Sequence, residues 1–386
     1  MIYSMRIAIV NDTHYGVRGN AEVFMHEAEV FFEHLIADCK ARGIDRVLHL
    51  GDFFDNRKNI NILVLQRAKE KILDRLAESG IRMDIIYGNH DVYYKNTNRY
   101  SSLDGVIDPY YTQKGSVNII RHPQCLPPPY DDIAAVPWIT EDNYEECMTF
   151  IESAPAPILV GHFEIEGFRY LPQSSTLSKG FSRDIFKNKY DLILSGHYHT
   201  KSQRDNIIYL GTQMQFTWAD ADDPKCYHIL EGDSREDYSL TSVPYEQNLF
   251  IRCEYDDSKK IPLTNLDRIK NAQRPVFVRV RVQKKKDTKT FERVIENLSK
   301  LNVHSVEVIE DFNQYLNPDS SDDNDDTDDK VKKEKEEKSQ ELLEDTTKLI
   351  EQYVDEEIDE ASINKDKLKD YINDLYQTTV FAESEK

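Results

Sequence analysis

The stretch Ile7-Ala8-Ile9-Val10-Asn11-Asp12-Thr13-His14 decides how the chain is read. Four apolar residues end abruptly in an amide, a carboxylate and an imidazole, as when a buried strand delivers polar side chains at its carboxyl end. The same event recurs four times. Residues 47–50 run into Gly51-Asp52-Phe53-Phe54-Asp55, and residues 83–87 into Gly88-Asn89-His90-Asp91. Residues 158–160 run into Gly161-His162, and residues 192–194 into Gly196-His197-Tyr198-His199. Between the first three strands, residues 21–40 and 62–79 carry apolar side chains at helical spacing. That βαβαβ order predicts a layered α/β fold. Further strands at 133–136, 207–210 and 227–230, with few long helices between them, predict two sheets packed together. Neutral imidazoles, carboxylates and an amide oxygen are ligands for Mn²⁺, Fe²⁺ or Zn²⁺, and one carboxylate can bridge two such ions.

The ordered set DxH, GDxxD, GNHD, GH and GHxH resembles the calcineurin-like metallophosphoesterase superfamily. The resemblance implies a sandwich of two β-sheets flanked by helices, with two divalent ions, Mn²⁺ in the first place and Mg²⁺ as the other option. It assigns one ion to Asp12, His14, Asp52 and His199, and the other to Asn89, His162, His197 and Asp52. Asp52 is the bridge, His90 is an unligated catalytic group facing the substrate, and Asp55 orients His90. GDxxDRG and GNHE, the marks of the protein phosphatases in this superfamily, are absent: Gly51 to Arg57 reads GDFFDNR and the third motif ends in Asp91. The whole chain instead resembles the SbcD (meiotic-recombination-eleven) nucleases, and within them the recombination endonuclease subunits of T-even-type phages. That implies an exonuclease/endonuclease for DNA end processing, recombination and repair. It also implies a complex with an SbcC-type coiled-coil ATPase, two nuclease and two ATPase subunits together. The alternative is a small-molecule phosphodiesterase or phosphomonoesterase with the same metals.

The domain boundaries expected are 1–246 for the metallophosphoesterase domain and 247–317 for a small α/β cap, with strands at 276–282 and 305–309 around a helix at 290–301. Residues 318–340 are an acidic disordered linker, with seven Asp in the eleven residues 319–329, a composition unable to bury a core. Residues 341–386 are helical: Leu342, Leu349, Ile350, Tyr353 and Val354 form one apolar stripe, and Leu368, Ile372 and Leu375 a second. The resemblance makes those stripes the ATPase-binding surface.

The net charge of the 386 residues is −21. Residues 318–386 carry −14 of it and residues 1–317 only −7. A chain this acidic is not built for non-specific nucleic-acid binding, so DNA must be met by local bases or bound cations. The residues expected beside the site are Tyr15, Arg18, Arg57, Lys58, Tyr93, Tyr94, Lys95, Arg99 and Tyr100, where aromatic rings and bases alternate. Arg279, Arg281 and residues 284–286 form a second basic run. Five scattered cysteines without a CxxC pair read as reduced thiols of a cytoplasmic protein. No run approaches the ~20 apolar residues of a membrane span.

Overall fold

The computed structural model describes residues 5–107, 110–169, 180–232, 237–245 and 248–310. The expected linker at 318–340, the helical region at 341–386 and the partner-binding side chains from Leu342 to Leu375 lie outside the described residues. No described helix is long and apolar enough to cross a membrane.

Two six-stranded sheets form the larger part. The first is built from β1 (Met5–Val10), β2 (Arg46–His49), β3 (Arg82–Ile86) and β4 (Val117–Ile120). The second contains β5 (Gln124–Cys125), β6 (Ile133–Val136), β7 (Ile158–Gly161), β8 (Leu192–Ser195), β9 (Ser202–Arg204) and β10 (Ile207–Tyr209). The chain then returns to the first sheet with β11 (Cys226–Gly232) and β12 (Tyr238–Pro244). The strand orders are β12-β11-β1-β2-β3-β4 and β5-β6-β7-β8-β10-β9. β1 to β4 are mutually parallel, as are β6, β7 and β8.

Strand alternation sorts the side chains into layers. Ile7, Ile9, Leu48 and Ile86 of the first sheet meet Ile133, Ala135, Ile158, Val160 and Leu194 of the second in one core. The intervening Ala8, Val10, Val47, Met83 and Ile85 point the other way, under the helix Glu22–Arg42. That helix buries Phe24, Met25, Ala28, Phe31, Phe32, Leu35, Ile36 and Cys39 on one stripe and stops at Gly43, whose φ of 68° suits a left-handed C-cap. On the far side, Ala134, Val136, Leu159 and Ile193 pack under Tyr144–Ser153 and Asp184–Lys187. The segment expected as one helix over 62–79 is helical without interruption from Ile62 to Glu78, with a π-helical turn at Lys69–Leu73 between Ile62–Ala68 and Asp74–Glu78.

A three-stranded, all-parallel sheet follows: β13 (Phe250–Asp256), β14 (Val276–Lys284) and β15 (Val303–Glu310). Leu266–Lys270 and Thr288–Ser299 are the crossover helices, and Ile251, Cys253, Val278, Val280, Phe291 and Leu298 form its separate core. Sequence reading begins this unit's strands at 276 and misses β13. Its Phe250 and Phe277 stack with Phe24 of the larger part, at centroid distances of 6.2 and 5.7 Å. Arg274 pairs with the buried Glu27 at 2.5 Å.

Candidate metal centre

Because β1, β2 and β3 run parallel in one sheet, and β7 and β8 in the other, their carboxyl ends open on one edge of the sandwich. The loops there turn through backbone conformations that L-residues avoid: φ is 47° at Asp12, 44° at His14, 58° at Asp52 and 86° at His197. Each such residue costs on the order of 1 kcal/mol, and the conformation persists only when its surroundings impose it. Here the loops pin one another. Asp12 N–H donates to Gly51 O (2.9 Å), His14 N–H to Asp52 O (3.0 Å), and His197 N–H to the Asp12 carboxylate (3.0 Å). The approach is too close for a side chain: a Cβ on Gly88 would lie 2.2 Å from Asp52 Oδ1.

The donor atoms gather in two clusters. Asp12, His14 and His199 offer ligand atoms within 4.8 Å of one another, and so do Asp52, His162 and His197. Asp52 Oδ2 lies between the clusters, 3.7 Å from His14 Nε2 and 3.4 Å from His162 Nε2. Asn89 Oδ1 is 2.9 Å from His162 Nε2, and His199 Nε2 is 3.2 Å from His14 Nε2. His162 Nδ1 donates to Leu50 O (2.8 Å), which leaves Nε2 to face Asp52 and Asn89. Lone pairs of seven side chains thus converge with few protons among them, as a site for divalent cations requires. The residues fit the two ions that the sequence motifs imply.

Electrostatics agrees. Burial drives His197 down to about 3, helped by His162, and drives His199 down to about 3, helped by His14. Both rings are therefore neutral, as imidazoles that could hold a cation must be. At His162 burial acts in the same direction, but Asp52 and Asp12 outweigh it and hold a proton up to about 9. Burial raises the Asp12 carboxyl. At Asp52 burial is outweighed by His162, which holds the carboxyl well below its ordinary range.

His90 is held beside this array. Its main-chain N–H donates to Asp52 Oδ1 (2.7 Å), and its ring stands edge-on to His14 at a centroid distance of 4.8 Å. A ring nitrogen also falls within 4.8 Å of ligand atoms of His14 and Asp52. The orienting contact from Asp55 differs from expectation. His90 Nδ1 donates to the Asp55 main-chain carbonyl (2.6 Å), whereas the Asp55 carboxylate sits 3.2 Å from His14 Nδ1. The chain turns at residue 55 so that its carbonyl faces His90 and its side chain faces His14.

Four contributors escaped sequence reading. Asp91 accepts from Gly88 N–H (2.8 Å), Asp52 N–H (2.8 Å) and Phe53 N–H (3.1 Å), tying the second motif to the third. Burial, reinforced by the Asp52 charge, pushes its carboxyl up to about 7. Its place as the last letter of GNHD was the available signal. Asn11 donates to Asp12 Oδ2 (2.6 Å) and Gly211 O (2.9 Å). Phe216 lies 5.8 Å from His14 and 5.7 Å from His199, and Trp138 lies 5.4 Å from His197. Neither aromatic stands in a motif.

The expected DNA-facing residues divide. Tyr93, Tyr94 and Tyr100 are 39%, 50% and 55% exposed, their rings in contact at 4.7 and 6.1 Å. Lys58 Nζ lies 5.8 Å from the Tyr93 ring and Arg99 5.7 Å from Tyr100. Lys95 and Arg18 are exposed and Arg57 is half-buried; Arg18 Nε donates to Phe216 O (3.1 Å). Tyr15 is a correction. It is 2% exposed and its hydroxyl donates to Glu29 (2.6 Å), itself clamped by Arg67, so it is a core residue that no DNA can reach. In the three-stranded unit, Arg279 pairs with Glu307 (2.9 Å) and Lys285 with Glu310 (2.6 Å), so two of the five residues of the second basic run already face carboxylates.

Comparison with known proteins agrees with this geometry. The chain is 26% identical over 375 residues to "Exonuclease subunit 1" of Enterobacteria phage T4, an alignment covering 96% of this chain and 98% of that protein. It is 22% identical over 293 residues to the SbcD subunit of the nuclease SbcCD of Staphylococcus saprophyticus, covering 66% of this chain and 73% of the relative. The protein of the same name in Staphylococcus epidermidis is 20% identical over 283 residues, covering 66% and 74%. The family model for calcineurin-like phosphoesterase matches residues 5–201, which contain all five loops. With those loops converging on two clusters of side chains that could hold metal ions, the chain belongs to the calcineurin-like phosphoesterase family.

Proposed function

We propose that this chain is a two-metal DNA nuclease, active with Mn²⁺, that cleaves phosphodiesters in DNA end processing, recombination and repair. The observation that carries the reading is the placement of Asp52 Oδ2 between His14 and His162 of opposite clusters, at 3.7 and 3.4 Å. One ion would be held by Asp12, His14, His199 and Asp52, and the other by Asn89, His162, His197 and Asp52. Divalent cations so held acidify water and offset phosphate charge. The protein's own part is to place the remaining groups. The Asp55 carbonyl holds the Nδ1–H of His90, so Nε2 is the atom left for the substrate. In the imidazolium form, with both ring nitrogens protonated, Nε2 would donate to the departing oxygen. Lys58, Tyr93, Tyr94, Arg99 and Tyr100 flank that loop and would take phosphate and base contacts.

The T4 and staphylococcal relatives are named as subunits of nucleases, which supports DNA as the substrate and an assembly as the working form. The partner is an SbcC-type coiled-coil ATPase, seated by residues 341–386 beyond the acidic segment 318–340, within a cytoplasmic complex of two nuclease and two ATPase subunits. The decisive experiment incubates the purified chain and Mn²⁺ with end-labelled duplex DNA, beside bis-p-nitrophenyl phosphate. Cleavage of the DNA supports the nuclease; turnover of the small ester with DNA left intact would make the chain a small-molecule phosphodiesterase. Deleting residues 341–386 is expected to abolish co-purification with the ATPase while retaining Mn²⁺-dependent activity on short DNA.

A further inference from the structure

Residues 211–225 run from the metal centre to the three-stranded sheet, and both ends are tied by side chains. At the centre, Lys225, only 5% exposed, donates from Nζ to the main-chain carbonyl of His199 (3.0 Å), to Asp220 Oδ1 (2.9 Å) and to Asp223 Oδ2 (2.9 Å). All three of its protons are used. Asp220 Oδ2 in turn accepts from Phe216 N–H (3.0 Å), Thr217 N–H (2.9 Å) and Thr217 Oγ1 (3.1 Å). The Phe216 ring thereby rests against both His14 and His199. At the far end, Gln215 Oε1 accepts the N–H of Phe250, the first residue of β13 (3.0 Å). The Trp218 ring packs on Phe250 at 4.9 Å and lies 4.2 Å below the Arg279 guanidinium. Arg252 donates to the carbonyls of Trp218 and Ala221.

Lys225 and Phe216 touch His199 and His14, members of the cluster with Asp12, and Trp138, outside the strap, packs on His162 and His197. We propose that residues 211–225 are a positioning strap that makes the cation position of Asp12, His14 and His199 depend on the seating of the three-stranded unit, with Lys225 as the positioning residue. A buried ammonium on the carbonyl of His199 holds the main chain from which that ring projects, and outer groups that orient a ligand contribute about tenfold to a hundredfold in metal affinity. A shift of Arg252 or Arg279 against Trp218 moves the strap and loosens one cation position, leaving the position of Asn89, His162 and His197 intact. The nuclease would thus be tuned by whatever displaces that unit, DNA included.

This inference rests on the two-cation reading, and calorimetry of Mn²⁺ binding to the full chain separates the two. Wild type is expected to bind two ions in distinguishable steps, with His199→Gln and Asn89→Ala identifying which step belongs to which cluster. Lys225→Met should weaken the step that His199→Gln removes by at least about tenfold and leave the other within about twofold. Because Lys225→Met also strands Asp220, the partly exposed Arg252→Ala provides a second variant. It should weaken the same step severalfold with an unchanged circular-dichroism spectrum. Equal loss at both steps, or no loss in folded Arg252→Ala protein, would overturn the strap while leaving the two-cation centre standing. A wild-type chain that bound fewer than two ions would overturn the centre and the strap together.

Discussion

Asp91 Oδ2 accepts the main-chain N–H of Asp52 at 2.8 Å, across 39 residues of sequence, so a carboxylate outside both candidate clusters holds the turn that carries Asp52. It accepts two further main-chain N–H groups, from Gly88 and Phe53.

Asp91→Asn should therefore be costly despite its near-identical shape. One oxygen becomes an NH₂ group that must face an N–H donor, leaving a buried donor unpaired at a cost of about 1–3 kcal/mol. Stability to thermal unfolding is expected to fall by that amount, and Mn²⁺ affinity to fall with it, because the Asp52 turn loosens. An unchanged melting temperature would show that the three hydrogen bonds are dispensable.

Asp52 and His90 should separate metal binding from chemistry. Asp52→Ala removes the side chain shared by both clusters and is expected to abolish cleavage and to reduce the Mn²⁺ stoichiometry. His90→Ala should keep two ions bound while lowering phosphodiester cleavage by roughly 10²- to 10⁴-fold, the usual contribution of a positioned general acid. Loss of an ion from His90→Ala in calorimetry would make His90 a ligand.

The metal-free protein should be more stable at pH 6.5 than at pH 9. Asp52 and Asp12 hold the His162 proton up to about 9, above the ordinary 6.5. A folded-state value above the unfolded one gives stability that is complete below about 6.5 and is lost as pH rises through about 9. Mn²⁺ needs the same nitrogen deprotonated, so its affinity should climb over that interval. Thermal melts with EDTA and Mn²⁺ titrations between pH 6 and 9.5 test both slopes, and parallel slopes would contradict the exchange of proton for metal.

Tyr15 and Tyr94 should behave oppositely. Tyr15→Phe removes the hydrogen bond to the buried Glu29 and should cost about 1 kcal/mol of stability with DNA affinity unchanged. Tyr94→Ala should leave stability alone and weaken DNA binding, while Lys58→Ala or Arg99→Ala should each reduce the slope of log affinity against log salt by about 1. Fluorescence anisotropy across a salt series reads these effects. A DNA-binding defect in Tyr15→Phe would mean that the core placement of Tyr15 does not hold in solution.

The order of amino acids was enough to establish the layered sandwich and the residues that gather at its edge. Each is a local event: an apolar run long enough to be a buried strand, then a turn bearing Asp, Asn or His. Ile7 to His14 carries both halves of that signal within eight residues. What a residue touches after the turn was not local. Tyr15 follows His14 directly, yet it is buried because the helix Glu22–Arg42 brings Glu29 to its hydroxyl. Asp55 shows its carbonyl, rather than its carboxylate, to His90 because of a backbone orientation that no spacing encodes. β13 was missed because its apolar side chains need β14 and the helix Thr288–Ser299 to form a core. Lys225 stands in no motif, and only the fold brings it against the His199 carbonyl, 26 residues away in the chain. Chain order sets which groups reach the edge of the sandwich; packing of distant segments sets which atoms face one another there, because burial and hydrogen-bond pairing depend on neighbours that only the folded chain supplies.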